Sequence, residues 1–459
     1  MSRDRLDIAR EDETPFAAEG VYPIAQHAGK DDIVAVRAQR RIDRTQFLRD
    51  IASLAARLPA HKYVLNLCTD RYRFMVGFAA ALCRQQISLL PPSDAPGVLK
   101  TLAADYPDLY ALTDTLRPPF PSVVYPDRFE DDGAIPDMPM LPGGQPALIL
   151  FTSGSTGRPK AVPKSWGTLV RSARAAGDRL GLSQRGCAIL IGTVPHQHSY
   201  GLESTILLGL QHGLIVDAAR PLYPGDIRAA VEAAPRPRIL VTTPVHLRAL
   251  VAEPAGMPPI DLVLSATAPL SVELAAQAEA CFQAPLVEIY GCTEAGQIAT
   301  RRSVREPQWR CLDGVSLSQD MRGTWAGGTS VQGTVLLHDA IERTGPATFL
   351  LGGRSADLVD VAGKRTSLAH LNHLLLSIEG VKDGAFFMPE PDGRHVARLM
   401  AVAVAPGLRS EAVLQALRER VDAAFLPRPL VLVDELPRNA LGKLPRETLL
   451  QLVSRHRGV

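Results

Sequence analysis

One string in this chain combines small residues, hydroxyls and a cation in the way a phosphate site requires. It is Ser153-Gly154-Ser155-Thr156-Gly157-Arg158-Pro159-Lys160, and it follows directly on the apolar run at 147–152. Small residues after a strand let backbone N–H groups approach an anion closely, and the hydroxyls add donors. Lys160 adds a compact point charge suited to phosphate. The common G-x-x-x-x-G-K-[ST] nucleotide loop is a different object. Gly154 and Gly157 stand too close together for it, and Ala161 follows the lysine where a magnesium-binding hydroxyl is needed. A plain Gly/Ser-rich turn is the bland alternative. Lysine itself is scarce: of 50 basic residues only 8 are lysine, at 30, 62, 100, 160, 164, 364, 382 and 443.

The string FTSGSTGRPKAVPK resembles the signature phosphate loop of the adenylate-forming ligase superfamily, which includes acyl-CoA synthetases, aryl-acid ligases and the adenylation domains of peptide synthetases. Further motifs follow in that family's order over most of the chain. The resemblance implies that ATP turns a carboxylate into an acyl-adenylate and that the acyl group then passes to a thiol. It implies that Thr152, Ser153, Gly154, Ser155, Thr156, Gly157 and Lys160 hold the phosphates, with Thr156 among the catalytic groups.

Val194-Pro195-His196-Gln197-His198-Ser199-Tyr200-Gly201 resembles the family's P-x-x-H-x-x-G segment. Position by position, His198 would sit at the substrate carboxylate and gate the thiol channel, with Tyr200 and Gly201 beside it. A histidine suits a place where charge changes during a reaction. A zinc site on His196 and His198 lacks a third ligand nearby, and either residue could be a plain loop histidine. Ser265-Ala266-Thr267-Ala268-Pro269-Leu270 matches a segment that is usually S-G-G-A-P-L. Thr267 replaces a glycine there, either lining the acyl pocket with Ala268, contacting the nucleotide or capping a helix.

Tyr290-Gly291-Cys292-Thr293-Glu294 resembles the Y-G-x-T-E motif. By that resemblance Tyr290 stacks on adenine, Thr293 meets the α-phosphate and Glu294 holds Mg²⁺, a cation that prefers oxygen. Gly291 and Cys292 then border the acyl pocket. Relatives carry a ribose-binding aspartate some fourteen residues before a Gly-Arg pair, and counting back from Gly353-Arg354 reaches Asp339. The expected threonine and glycine before it are absent, so a solvated acid at a strand end is the competing reading. Arg354 would reach the nucleotide too. The segment from Gly353 to Gly363 resembles the hinge between two domains, with Ala356 and Asp357 at the pivot and Asp360 where lysine is frequent. Pro437 to Lys443 resembles the C-terminal P-R-x-x-x-G-K motif, which makes Lys443 the bridge between carboxylate and α-phosphate, against the reading of an exposed loop lysine.

The elements that must position these residues are legible as apolar runs. Strands are expected at 62–69, 147–152, 187–193, 213–218, 238–243, 261–266 and 284–290, and a helix at 71–85. Continuous apolar strands alternating with amphipathic stretches predict an α/β fold, with mainly parallel sheets flanked by helices. Residues 1–60 read as polar and poorly periodic, and the Pro-rich stretch 117–146 as a surface loop. The domains expected are 1–352, large, and 353–459, a small mobile α+β domain with helices at 367–378 and near 410–424.

Near-neutral net charge, +2, argues against a dedicated nucleic-acid binder. No apolar run approaches membrane-spanning length, and the charged start lacks a signal peptide's apolar stretch. Six scattered cysteines without a C-x-x-C pair fit a reduced, cytoplasmic enzyme. The string from Gly353 through Phe387 is similar to small bacterial ligases of aryl polyene pigment pathways, implying an aromatic acid such as a hydroxybenzoate as substrate. A medium- or long-chain fatty acid is the alternative. The acceptor is coenzyme A or the phosphopantetheine thiol of an acyl carrier protein. Residues 354–459 hold 15 basic and 12 acidic groups, a mild excess that suits either. Two other classes stand beside this reading: a P-loop phosphotransferase and a non-catalytic acyl- or nucleotide-binding relative.

Overall fold

The computed structural model describes residues 20–91, 95–115, 118, 120–129, 135–152, 160–185, 187–253, 256–354, 358–361, 364–389, 398–438, 444 and 446–457. The strings Ile189–Gly192, Arg238–Thr242 and Leu262–Ser265 are runs of isoleucine, leucine and valine buried on both faces. Such strands belong in the middle of a sheet covered on both sides. They lie side by side in an eleven-stranded sheet, between Leu286–Cys292 on one flank and Ile215–Asp217 on the other. Pairing is parallel from Leu286–Cys292 through to Ile33–Arg37. Towards both ends it turns antiparallel, so the sheet is parallel at its centre and antiparallel at its edges. A second sheet of six strands is parallel except for one hairpin, Pro146–Thr152 with Lys160–Ser165.

Helices cover these sheets, and local chemistry starts them. Pro224–Ala233 and Pro244–Val251 each open with proline in the first turn, where its missing N–H costs nothing. Ser271 caps Val272–Phe282, its hydroxyl accepting from the Leu274 N–H at 3.2 Å. Ile227, Val231, Leu247, Leu250 and Phe282 from these helices pack on Ile191, Leu240 and Val263 of the strands. At about 1.5–3 kcal/mol for each large apolar side chain removed from water, this layer dominates the local stability.

Two stretches differ from expectation. Within the first 60 residues lies the helix Arg44–Arg57, capped by Asp43, with Phe47, Leu48, Ile51 and Leu54 buried along one stripe. Arginines on its outer face dilute the apolar signal. The Pro-rich stretch contributes two three-residue strands, Ser122–Val124 and Met140–Pro142, at sheet edges where proline is tolerated. The other expected strands and helices are present with moved ends: 62–69 is Tyr63–Asn66, 284–290 is Leu286–Cys292, and the helix expected near 410–424 stops at Arg418.

Beyond Leu368 the chain builds its own core. Leu371 and Leu375 of the helix Leu368–Leu376, Val413 and Leu417 of Ser410–Arg418, and Phe386, Ala401 and Leu430 of a three-stranded sheet pack together. The result is α+β. The hinge-like segment holds a short hairpin, Leu358–Val361 with Lys364–Ser367. Ala356, Asp357 and Gly363 lie outside the described residues. No described helix is long and apolar enough to cross a membrane. All six cysteines are free thiols.

Candidate active site

The phosphate-like string joins two antiparallel strands. Thr152 ends one, Lys160 begins the other, and the two are register partners. Ser153, Gly154, Ser155, Thr156 and Gly157 lie outside the described residues. A G-x-x-x-x-G-K-[ST] loop instead runs from a strand straight into a helix. Here the helix Trp166–Arg179 starts only after the second strand, which removes the P-loop reading. Lys160 is exposed at the hairpin mouth. Four residues on, Lys164 is buried and donates from its ammonium to the Glu294 carbonyl.

The two histidines have different fates. His196 is fully buried, with Nε2 donating to the Cys68 carbonyl at 3.0 Å and its ring 4.6 Å from that of Phe74. Burial, then the nearby Arg71 guanidinium, pushes its pKa down to about 3, so it is a neutral packing element. His198 is half-buried at the start of a helical segment, its carbonyl accepting from the Leu202 N–H at 2.8 Å. Tyr200 packs inward and donates its hydroxyl to the Thr242 carbonyl at 3.1 Å, and burial raises its pKa. Gly201 has a steric reason: a Cβ there would stand 1.9 Å from the Pro195 carbonyl oxygen.

Thr267 sits after the strand Leu262–Ser265 with φ of +80°. A β-branched residue is strained in that region, which explains the glycine usual in the resembling family. Ser271 caps the following helix, so Thr267 does not. Ala268 beside it is half-buried.

Tyr290 ends the buried part of Leu286–Cys292. Its ring lies 5.7 Å from both Trp309 and Phe349, and its hydroxyl donates to the Asp339 carboxylate at 2.7 Å. Asp339 in turn is the cross-strand partner of Arg354, whose side chain is not described. A cavity of about 370 Å³ opens beside Asp339, lined also by Gln319, Asp320, Arg322 and Leu337. At the register shift after Tyr290 come exposed Gly291 and half-buried Cys292, Thr293 and Glu294. Burial pushes the Cys292 thiol up to about 11, so it stays protonated at neutral pH. Glu294 and the neighbouring Thr293 hydroxyl offer hard oxygen donors. That fits Mg²⁺, which takes one or two carboxylates and draws its other ligands from phosphates and water.

The structure thus brings the hairpin strand Lys160–Ser165, the His198 segment and the strand end bearing Thr293 and Glu294 together through Lys164, Ser199 and Glu203. Residues 439–443, with Lys443, lie outside the described residues. The base of that tail is anchored: Arg438 makes a two-pronged pair with Asp383 at 2.8 and 2.7 Å.

Residues 29–319 match the AMP-binding enzyme family. The chain belongs to that family. This AMP-binding enzyme is 30% identical over 234 residues to a 4-coumarate–CoA ligase of Rhodobacter capsulatus, a match covering 51% of this chain and 58% of that one. It is 27% identical over 380 residues to an indoleacetate–CoA ligase of Aromatoleum aromaticum, covering 74% and 73%. A 4-chlorobenzoate–CoA ligase of Arthrobacter sp. is 24% identical over 490 aligned positions, covering 95% and 89%. The fold is that of o-succinylbenzoate CoA synthetase from Bacillus subtilis in complex with its acyl-adenylate intermediate, with TM-score 0.79 and 18% identity over 94% of this chain and 98% of that one. Motif reading alone left three residues of the AMP-binding enzyme without a part: Lys164, Glu203 and Gln297. A lone acid inside the apolar run 201–210 was the one sequence signal for Glu203.

Proposed function

We propose that this enzyme joins a carboxylic acid to ATP, giving acyl-AMP and pyrophosphate, and then passes the acyl group to a pantetheine thiol. The observation that carries the reading is the Tyr290–Asp339 hydrogen bond at 2.7 Å. It joins an aromatic ring and an acid from separate motifs at the end of the strand that bears Thr293 and Glu294. That is the pairing a nucleoside needs: a ring for the base and a carboxylate for ribose hydroxyls. In this reading Lys160 and the hydroxyls of 152–156 hold the departing phosphates, and Arg354 assists at the nucleotide. Mg²⁺, when bound by Glu294, neutralises phosphate charge. Lys443 stabilises the charge spread over attacking and transferring oxygens. His198, Tyr200, Gly201, Thr267, Ala268, Gly291 and Cys292 surround the acyl group. Residues 353–459 act as a small domain that turns about 353–357 and withdraws Lys443 before the thiol enters.

The substrate we propose is an aromatic acid such as a hydroxybenzoate. The resemblance to aryl-acid ligases and the relatives named for coumarate, indoleacetate and chlorobenzoate support it. A pyrophosphate-release screen over benzoates, fatty acids and amino acids tests it, with AMP rather than ADP as product. Faster turnover on a long-chain fatty acid than on every benzoate overturns the aryl reading. Comparing thioester formation on coenzyme A and on an acyl carrier protein identifies the acceptor.

A further inference from the structure

We propose that Lys164 and Glu203 are positioning residues, a charged clamp that fixes the turn behind Thr293 and Glu294 against the phosphate hairpin and the His198 segment. The inference rests on the adenylation reading of the same site. The turn at 293–295 feeds the strand Gly296–Arg301, and the segment that matters runs from Glu294 to Gln297. At its start the Lys164 ammonium holds the Glu294 carbonyl. At its end the Gln297 N–H donates to Glu203 Oε2 at 3.1 Å. The other oxygen, Oε1, accepts from the Ser199 hydroxyl at 2.6 Å, one residue from His198. The Gln297 amide donates to Ser204 Oγ at 3.1 Å. Gly296, at φ +80°, lies so close that a Cβ would stand 3.3 Å from the Glu203 carboxylate.

The polarity is matched at both ends, cation to carbonyl and anion to N–H. Lys164 and Glu203 are 2% and 5% exposed. Burial drives Lys164's pKa down and Glu203's up, and the attraction between them opposes both shifts. Two buried opposite charges, even where they attract, contribute little net stability compared with apolar residues of the same shape. Its use here is directional: it holds two backbone groups of the turn that presents the proposed Mg²⁺ carboxylate, and it reaches that turn from two other motifs.

The test uses the full chain with Lys164→Met, Glu203→Gln, the double variant and Ser199→Ala. Each charge-removing single variant leaves one buried charge without its partner and lowers Tm, whereas the double variant recovers most of that loss. Catalysis does not recover with it. The double variant is expected to lose about tenfold in kcat for acid-dependent pyrophosphate release with little change in the acid's KM. In calorimetry of ATP binding without acid, the Mg²⁺ concentration for half-maximal binding rises several-fold. Ser199→Ala, which removes one hydrogen bond and no charge, shows a smaller Mg²⁺ shift and a smaller fall in Tm, which keeps the test open if the charge variants fold poorly. Wild-type rate and Mg²⁺ dependence in the double variant, or no shift in Ser199→Ala, would overturn the clamp. A wild-type protein that binds Mg·ATP but activates no acid refutes the adenylation reading, while the binding shift still decides the clamp.

Discussion

Tyr290→Phe removes one hydroxyl and leaves the ring among Trp309 and Phe349. The lost interaction is a 2.7 Å hydrogen bond to the Asp339 carboxylate. A hydrogen bond to a charged group contributes about 1.5–3 kcal/mol when buried. Asp339 is half-buried, so water takes up part of the loss, and about 1–1.4 kcal/mol remains. If the hydroxyl orients the carboxylate for ribose, that becomes a rise of roughly five- to tenfold in KM for ATP, with kcat within about twofold. The assay is pyrophosphate release with ATP varied at saturating acid. Tyr290→Ala is the wrong probe, because a cavity among aromatic rings costs about 3–5 kcal/mol by itself. A double-mutant cycle with Asp339→Asn isolates the pair, and a coupling of about 1 kcal/mol is expected. Strictly additive effects, or an unchanged KM in Tyr290→Phe beside a raised KM in Asp339→Ala, refute the reasoning.

Thr267→Gly releases about 1–3 kcal/mol of backbone strain and adds about 0.5–1 kcal/mol of unfolded-chain entropy, so the denaturant midpoint should rise by the equivalent of about 1 kcal/mol; a lower midpoint would show that the threonine side chain outweighs its φ. Arg71→Met strips a fully buried guanidinium from the carbonyls of Asp217, Ala219, Gly192 and Val194. With unsatisfied buried carbonyls at about 1–3 kcal/mol each, even partial rescue leaves a loss of about 4 kcal/mol in equilibrium unfolding. His196 has its folded pKa depressed to about 3, so its contribution is complete above about pH 6.5 and is lost as pH falls towards 3. Between pH 6.5 and 4.5 the wild type should lose about 2 kcal/mol more than His196→Gln, read from unfolding midpoints across that range. Lys443→Ala should abolish acyl-AMP formation while ATP binding by calorimetry persists, and an unchanged rate would remove Lys443 from the chemistry.

The central strands were legible because apolar runs of four or five residues rich in isoleucine and valine are too short for a helix. Arg238–Thr242 and Leu262–Ser265 are such runs. The helix Arg44–Arg57 was not, because its buried stripe is interrupted by arginine and glutamine on the solvent side. The strand Ile33–Arg37 exists by pairing with Ile215–Asp217, far along the chain, and no local pattern states that partner. The site divides in the same way. Counting back from Gly353 singles out Asp339 as the candidate ribose acid, and in the ladder it is the cross-strand partner of Arg354. The sequence separates His196 from His198 only by motif position, whereas the structure supplies a cause, full burial against Phe74 and the Cys68 carbonyl. Glu203 meets Gln297 across 94 residues, and Lys164 meets Glu294 across 130. Contacts so distant carry no spacing signal.

The scarcity of lysine acquires a physical meaning at position 164. Where this chain pairs a cation with a carboxylate it favours arginine with both prongs engaged, as in Arg302–Glu279 at 2.7 and 2.7 Å and Arg301–Glu288 at 3.0 Å from Nε and 2.8 Å from Nη2. Buried Arg71 likewise spreads its donors over four carbonyls. The segment 294–297 presents Lys164 with the Glu294 carbonyl as its hydrogen-bond acceptor, and Glu203 has both oxygens engaged by Ser199 and Gln297. A guanidinium placed there would bring five N–H groups in a rigid plane to a site with too few acceptors. Each buried N–H left over would cost about 1–3 kcal/mol. A compact ammonium, neutralised by one nearby carboxylate, satisfies the site at lower cost. Lys160 faces the opposite condition, exposed at the hairpin mouth. If Lys160 meets phosphate as proposed, a flexible point charge there follows phosphate oxygens as they separate better than a fixed planar fork does.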